Sequence, residues 1–139
     1  MKKILFGFAL ITIITVKAQK ADSAPVAAKA AFTKAYPGAT KVKWEKEDAN
    51  YEVTFVINGN EISTIYDGKG ILQESEQEMK VTELPSVIAS YMKEHYKGIA
   101  VIGAAKITKA DGSINYEAAI KGKDVLFDAK GKFLKVVKD

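Results

Sequence analysis

The sequence contains no cysteine, so disulfides, thiolate metal ligands and lipid attachment through an N-terminal cysteine are all excluded. Arginine is also absent, and all 21 basic residues are lysines. Arginine is the residue that binds phosphate groups and guanine through two parallel hydrogen bonds. Nucleic acid is therefore disfavoured as a partner, and the folded protein has to be stabilised by packing without covalent cross-links.

Residues suited to catalysis are scarce. His95 is the only histidine, and its helical neighbours four residues away are Tyr91 and Ile99, neither of which would assist a general base or complete a metal site. No serine lies in a recognisable nucleophile motif, and no glycine-rich phosphate loop is present. We therefore predict a protein that is not an enzyme and needs no cofactor, with His95 at the edge of the core or partly exposed.

Acidic residues are the next candidates for a functional site. Glu74, Glu76 and Glu78 alternate along one predicted strand, and Asp67 and Asp128 begin equivalent turns. Calcium prefers such oxygen ligands, but lysines are interspersed and no known calcium-loop spacing is present. We interpret these residues as a solvated strand edge and as turn residues, and we predict no metal site. A glycosidase-like carboxylate pair is disfavoured because we expect an open, flat sheet face without a cleft.

The N-terminus has the three parts of a secretory signal peptide over residues 1–18. Lys2 and Lys3 precede the apolar run from Ile4 to Val16, and Ala18 closes the segment. Export to the periplasm or the medium is predicted, with no membrane span after removal of the signal. Its loss leaves 18 of the 21 lysines against 17 acidic residues. Residues 19–24 are predicted to be a disordered leader.

A tandem repeat accounts for the rest of the chain. Pro25, Tyr36, Tyr51-Glu52, Gly59 and Asp67-Gly68-Lys69-Gly70 recur in order as Pro85, Tyr96, Tyr116-Glu117, Gly122 and Asp128-Ala129-Lys130-Gly131. The changing offset is typical of a duplicated module whose loops differ in length. We predict one domain over 25–139 that consists of two repeats, 25–78 and 84–139. Because a lone repeat of about 55 residues would be only marginally stable, the two should share one core.

Each repeat is predicted to begin with a helix and to continue as strands. Proline opens each helix, over Val26–Tyr36 and Val87–Tyr96, and glycine follows each helix. Apolar residues then alternate with polar ones, as in Tyr51–Ile57, between turns that contain glycine. Each repeat therefore contains a helix and about four antiparallel strands. The predicted fold class is α+β, with one antiparallel sheet of up to eight strands and both helices packed on one face.

Several short motifs resemble those of a known family. They are Val26 to Phe32, Tyr36-Pro37-Gly38-Ala39, Val42-Lys43-Trp44-Glu45, Tyr51-Glu52-Val53-Thr54-Phe55, Gly59 and Tyr66-Asp67-Gly68-Lys69-Gly70. In this order they resemble the PepSY-like group of small exported bacterial proteins, whose tandem fold is similar to the beta-lactamase inhibitory protein. The second copy lacks the tryptophan and the Tyr-Pro proline, and the inhibitory protein's disulfides cannot form here. The resemblance implies binding or inhibition of a protein partner, such as an envelope peptidase.

One face of the predicted sheet is expected to pack against the helices, and the other is expected to bind a partner. Trp44, Tyr51, Phe55 and Tyr66 are interpreted as core residues beneath the first helix. The opposite face is the predicted surface for a protein partner, formed by Lys43, Glu52, Thr54, Val56, Ser63, Ile65, Glu117 and Ala119. The alternative hypothesis is a small-ligand or metal-sensing module of the cell envelope that uses Glu74 to Glu78 or the junction between the repeats.

Overall fold

The computed structural model describes residues 24–138. The predicted signal peptide over residues 1–18 and residues 19–23 of the predicted leader lie outside this range. Ala24, the last residue of that leader, is buried. Neither helix in the described range has the length and apolar character needed to cross a membrane.

Two helices begin directly after prolines. Helix α1 spans Val26–Ala35 after Pro25, and helix α2 spans Ser86–His95 after Pro85, because the fixed φ of proline suits a helix start. Each helix buries two residues at i and i+4: Ala28 and Phe32 in α1, Ile88 and Met92 in α2. Ala35 and His95, the last residues of the two helices, are exposed.

All eight strands form one antiparallel sheet in chain order. The strands are β1 Thr40–Glu47, β2 Asn50–Ile57, β3 Asn60–Tyr66, β4 Leu72–Met79, β5 Gly103–Lys109, β6 Ile114–Ile120, β7 Lys123–Asp128 and β8 Phe133–Lys138. The predicted α+β class with one antiparallel sheet is confirmed. Strand β4 extends to Met79, one residue beyond the first predicted repeat, and a 3-10 helix over Val81–Glu83 follows it.

The hydrophobic interior is divided into two clusters, one beneath each helix. The cluster beneath α1 contains Ala28, Phe32, Val53, Phe55 and Tyr66. The cluster beneath α2 contains Leu84, Ile88, Met92, Ala104, Ala118, Ile120, Val125 and Phe127. The expectation of a single shared core is therefore wrong. The two halves are joined through the sheet, where β4 pairs with β5 from Glu74↔Lys109 to Met79↔Ala104.

Aromatic rings fill the space beneath α1. The Phe32 ring centroid lies 4.9 Å from that of Phe55 and 5.6 Å from that of Trp44, and Trp44 lies 6.1 Å from Tyr66. Their interpretation as core residues rather than a stacking platform is confirmed for these rings. Because Trp44, Phe55 and Tyr66 all face the helix, the opposite face of the sheet is left uncovered by α1.

Equivalent turns approach the N-terminal end of each helix. Gly70 and Gly131 both have positive φ, and a Cβ on Gly70 would lie only 2.5 Å from the main-chain oxygen of Ala27. In the same turns Asp67 Oδ1 accepts hydrogen bonds from the N–H groups of Lys69 and Ile71, and Asp128 Oδ1 accepts equivalent bonds. These aspartates stabilise the turns, which confirms their interpretation as turn residues.

Candidate binding site on the concave sheet face

The sheet face opposite the helices is formed by side chains from all eight strands. Directly paired residues of an antiparallel sheet point to the same side, so the strand register identifies this face. One row runs Glu52, Ile65, Glu74, Lys109, and another runs Glu78, Ala105, Glu117, Leu126, Lys135. Residues on these rows and their i ± 2 neighbours form what we call the concave face.

A cleft of about 280 Å³ lies on the concave face. Its walls include the β1–β2 turn at Asp48 and also Val137 of β8, which belong to opposite ends of the sheet. The sheet must therefore curve around this face, as the natural twist of antiparallel strands allows. The expectation of a flat face without a cleft is wrong.

Both apolar and charged side chains line the cleft. The apolar lining residues are Ile65, Ile107, Leu126 and Val137. The carboxylates are Glu47, Asp48, Glu74, Glu117 and Asp124, and the lysines are Lys109 and Lys135. Lys109 Nζ lies 2.8 Å from Glu74 Oε2, so the positive charge of Lys109 is already engaged with a carboxylate of the same wall.

Three carboxyl groups of the concave face are buried. Glu76, Glu117 and Asp124 are 6%, 3% and 5% exposed. Burial, followed by the negative charge of Glu117, raises the pKa of Glu76 well above its usual range. The interpretation of the Glu74 to Glu78 ladder as a solvated strand edge is therefore wrong for Glu76, because β4 lies in the interior of the sheet between β3 and β5.

A second group of carboxylates lies beside the cleft, near the β1–β2 turn. Burial and then the neighbouring Glu52 carboxylate raise the pKa of Glu47 to about 7, and the two side chains share a hydrogen bond. Ser63 Oγ in turn donates a hydrogen bond to Glu52 Oε1. Burial, with Glu61 nearby, also raises the pKa of Glu78. Negative charge is thus concentrated on this face, and folding brings Glu47 and Glu52 close enough to share a proton.

The predicted surface residues all belong to the concave face, but they do not form one patch. The residues of the first half lie together on β1–β3: Lys43, Glu52, Thr54, Val56, Ser63 and Ile65. Glu117 and Ala119 lie on β6, separated from them by two strands, and both are buried. Of the predicted set, Ile65 and Glu117 line the cleft.

Several lining residues were missed by reasoning from the sequence. Asp124 alternates with Leu126 along β7, and Glu47 shares the strand parity of Lys43, so their side of the sheet was readable from the pattern. Their position beside a cleft was not, because it requires the curvature of the whole sheet. Asp48 and Lys135 come from opposite ends of the sheet and had no sequence signal that would connect them.

The single histidine and the carboxylates of the concave face lie on opposite sides of the sheet. The exposed His95 ring stacks on Tyr91 with centroids 4.0 Å apart, on the helical side of the sheet, which confirms its predicted position. Within residues 24–138, no group of three or more histidine, aspartate or glutamate side chains is arranged to hold a metal ion. The carboxylates of the concave face can instead bind a cationic group or accept hydrogen bonds.

Comparison with solved structures establishes the fold. A protein described as periplasmic from Bacteroides eggerthii is similar, with a TM-score of 0.71 and 18% identity over 83% of this chain and 88% of its own. A DUF2874 family protein from Bacteroides uniformis gives a TM-score of 0.73 and 20% identity over 83% and 89%. A BLIP-like protein from Bacteroides fragilis gives 0.64 and 24% over 81% and 84%. The chain therefore has a BLIP-like fold. No protein-family model and no curated protein matches the sequence.

Proposed function

We propose that this protein is a non-catalytic, exported binding protein that engages or inhibits a protein partner, such as an envelope peptidase, through its concave face. The observation that carries the proposal is the concave face itself, which spans all eight strands, bears neither helix and contains a cleft. The BLIP-like fold supports the proposal, since such a curved sheet offers a broad surface to a partner.

The proposal also includes the family of the protein, its internal duplication and its location in the cell. We assign the chain to the PepSY-like group and treat residues 25–78 and 84–139 as copies of one module. The supporting observation is that a helix followed by four strands occurs twice, with Gly70 and Gly131 in equivalent turns. Location in the periplasm or outside the cell is supported by the signal-like residues 1–18 and by similar folds among proteins described as periplasmic.

Capture of a partner by wild-type and altered bait tests the proposal. Mature protein is used to isolate partners from an envelope extract, beside a Thr54→Arg, Val56→Glu double variant that changes the concave face. The matched control is Ala30→Arg, Val26→Glu, which makes the same kinds of change at exposed positions of α1. We expect the concave-face variant to lose a partner that the control retains. Identical partner sets from all three baits would exclude the concave face.

A small-ligand sensor is the second candidate, because the cleft of about 280 Å³ is large enough for a small molecule. A thermal-shift screen of envelope metabolites, with calcium and zinc included, tests this function. A ligand that binds only the folded state raises the unfolding temperature. Loss of the shift in Glu74→Gln would place the ligand in the cleft, whereas no shift at millimolar metal would exclude the metal-sensing version.

A further inference from the structure

The cleft has both aliphatic and negatively charged lining residues, a combination that suits the side chain of lysine or arginine. Its lining includes the aliphatic side chains of Ile107 and Leu126 and carboxylates such as Glu74 and Glu117. Lysine and arginine have an aliphatic stem and a cationic head, and they commonly bury the stem against apolar surface while the head reaches polar groups. The cleft therefore offers a long basic side chain both apolar contact for its stem and opposite charge for its head.

The excess of negative charge around the cleft does not follow from the net charge of the whole protein. The predicted mature chain is close to neutral, with 18 basic and 17 acidic residues. The lining nevertheless contains more carboxylates than lysines, and Lys109 is engaged with Glu74. Folding has thus gathered acidic residues from distant strands onto one face. Such a cleft attracts cations and repels phosphate groups or acidic peptides.

A buried carboxyl group next to the cleft is an independent indication that this face suits a cationic group. Glu76 is 6% exposed, and within the described residues its Oε2 atom has no hydrogen-bond partner. It lies on the concave face opposite Ile107, and the charge of Glu117, a residue of the cleft wall, acts directly on it. A buried carboxyl group without a partner destabilises the folded protein. A cation next to Glu76 would offset that cost.

We propose that the cleft receives a lysine or arginine side chain from an exposed basic segment of the protein partner. The stem packs on Ile107 and Leu126, and the cationic head lies between Glu117 and the Oε1 atom of Glu74, whose Oε2 atom is held by Lys109. This inference rests on the proposed function and makes it more specific, because it states which feature of the partner is recognised. A divalent metal is a poorer occupant, since no three-carboxylate group in residues 24–138 converges on one point.

A peptide titration tests the inference directly. The probe is a capped glycine–serine peptide with three spaced arginines, and the comparison peptides carry glutamate or the neutral citrulline at the same positions. Binding is followed by amide chemical shifts of the ¹⁵N-labelled mature protein at about 0.15 M salt, where screening weakens non-specific attraction. The shifts of the cleft-lining amides report the location, and their concentration dependence gives the Kd.

Two double variants with the same change in net charge separate the cleft from general electrostatics. Asp48→Asn, Glu74→Gln removes two carboxylates of the cleft, and Asp111→Asn, Glu94→Gln removes two exposed ones elsewhere. We expect the cleft variant to bind the arginine peptide about tenfold more weakly, the loss expected for one charge-assisted hydrogen bond. The control variant should change the Kd less than twofold. Matching amide spectra outside the cleft verify that both variants are folded.

The opposite results overturn the inference. Absence of binding, equal losses in both double variants, shifts located away from the concave face, or equal binding of the citrulline peptide would each refute a basic side chain in the cleft. Shifts that appear without peptide as protein concentration rises would identify a second copy of this lysine-rich chain as the occupant, which also contradicts the proposal.

The failure of this inference can be distinguished from failure of the proposed function. A captured partner that is lost with Thr54→Arg, Val56→Glu but retained by Asp48→Asn, Glu74→Gln would preserve the binding face and refute the basic side chain. Arginine-peptide binding in the cleft, combined with a captured partner that no concave-face variant affects, would refute the proposed protein-binding face alone.

Discussion

Whether the two halves unfold as one unit can be tested by altering one half and observing the other. Phe127 is fully buried in the cluster beneath α2, with its ring centroid 5.2 Å from that of Tyr91. Trp44 is the only tryptophan, and it packs against Phe32 beneath α1. Phe127→Ala therefore removes packing in the second half, while the fluorescence of Trp44 reports on the first half.

The expected loss of stability follows from the burial of Phe127. Truncation of a fully buried phenylalanine to alanine costs about 3–5 kcal/mol, because a cavity remains. With a typical urea m-value of about 2 kcal/mol/M, a loss of about 4 kcal/mol moves the unfolding midpoint by about 2 M. Since small domains have only about 5–15 kcal/mol in total, Ile120→Val is the milder companion, with a loss of about 1 kcal/mol and a shift of about 0.5 M.

Urea unfolding monitored simultaneously by Trp44 fluorescence and far-UV circular dichroism provides the measurement. We expect the two signals to coincide in the wild type and in both variants, so that Trp44 reports the full shift. The reason is that a half of about 55 residues buries too little surface to be stable alone, and the β4–β5 pairing joins the halves. Phe55→Ala, in the first half, should shift both signals by a similar amount.

One result would refute this reasoning. If Phe127→Ala leaves the Trp44 transition at its wild-type urea concentration while circular dichroism shows an earlier step, the two clusters are independent folding units. Val26→Ala is the control for the method, because Val26 is 85% exposed and its truncation should change stability by no more than about 0.5 kcal/mol.

Three further predictions concern a turn glycine and two acidic groups. Gly70→Ala should lower the free energy of unfolding in urea more than Gly59→Ala does. Both glycines have positive φ, but only at Gly70 would a Cβ meet the main-chain oxygen of Ala27, at 2.5 Å. Equal losses of stability would contradict this contact. Glu47 has a folded-state pKa of about 7 against an ordinary 4.5, so its stabilising contribution is present below pH 4.5 and is lost as pH rises through 7. Glu47→Gln should therefore weaken the decline of stability across that window, and an unchanged pH profile would contradict the shift. Because burial raises the pKa of Glu76, Glu76→Gln should raise the free energy of unfolding above that of the wild type at pH 8, and much less at pH 4.5. An equal gain in stability at pH 8 and pH 4.5 would contradict the raised pKa.

The helices and most strand boundaries could be predicted because local chemistry determines them. Pro25 and Pro85 define the helix starts, and the Asp67 to Gly70 turn separates two strands in the predicted manner. Strand β4 was the exception at its C-terminal end. Its last residues, Gln77 to Met79, are polar or irregular in pattern and resemble a linker, and they are extended because β5 pairs with them. That pairing is non-local and leaves no trace in the segment itself.

The candidate site was predictable as a face but not as a cleft. Strand parity placed Glu52, Ile65 and Glu117 on one side of the sheet, since successive side chains alternate. The burial of Glu117 and the presence of the cleft depend on how eight strands twist together, which is a collective property of the sheet. The division of the core into two clusters was missed for the same reason, because repeated motifs do not reveal how two modules are joined.

The buried carboxyl groups, which reduce the stability of the folded protein, lie on the concave face. Among residues 24–138, the buried polar or charged side chains are Glu76, Glu117 and Asp124 on this face, and Thr64 on the helical side. Buried carboxylates near one another weaken folding, and neutral replacements of similar shape usually stabilise a protein. Features that reduce stability are often found at binding sites, where function requires them. The buried carboxylates should therefore favour a cationic partner. A Glu76→Gln variant that gains stability at neutral pH and loses affinity for the arginine peptide would connect these two consequences to one cause.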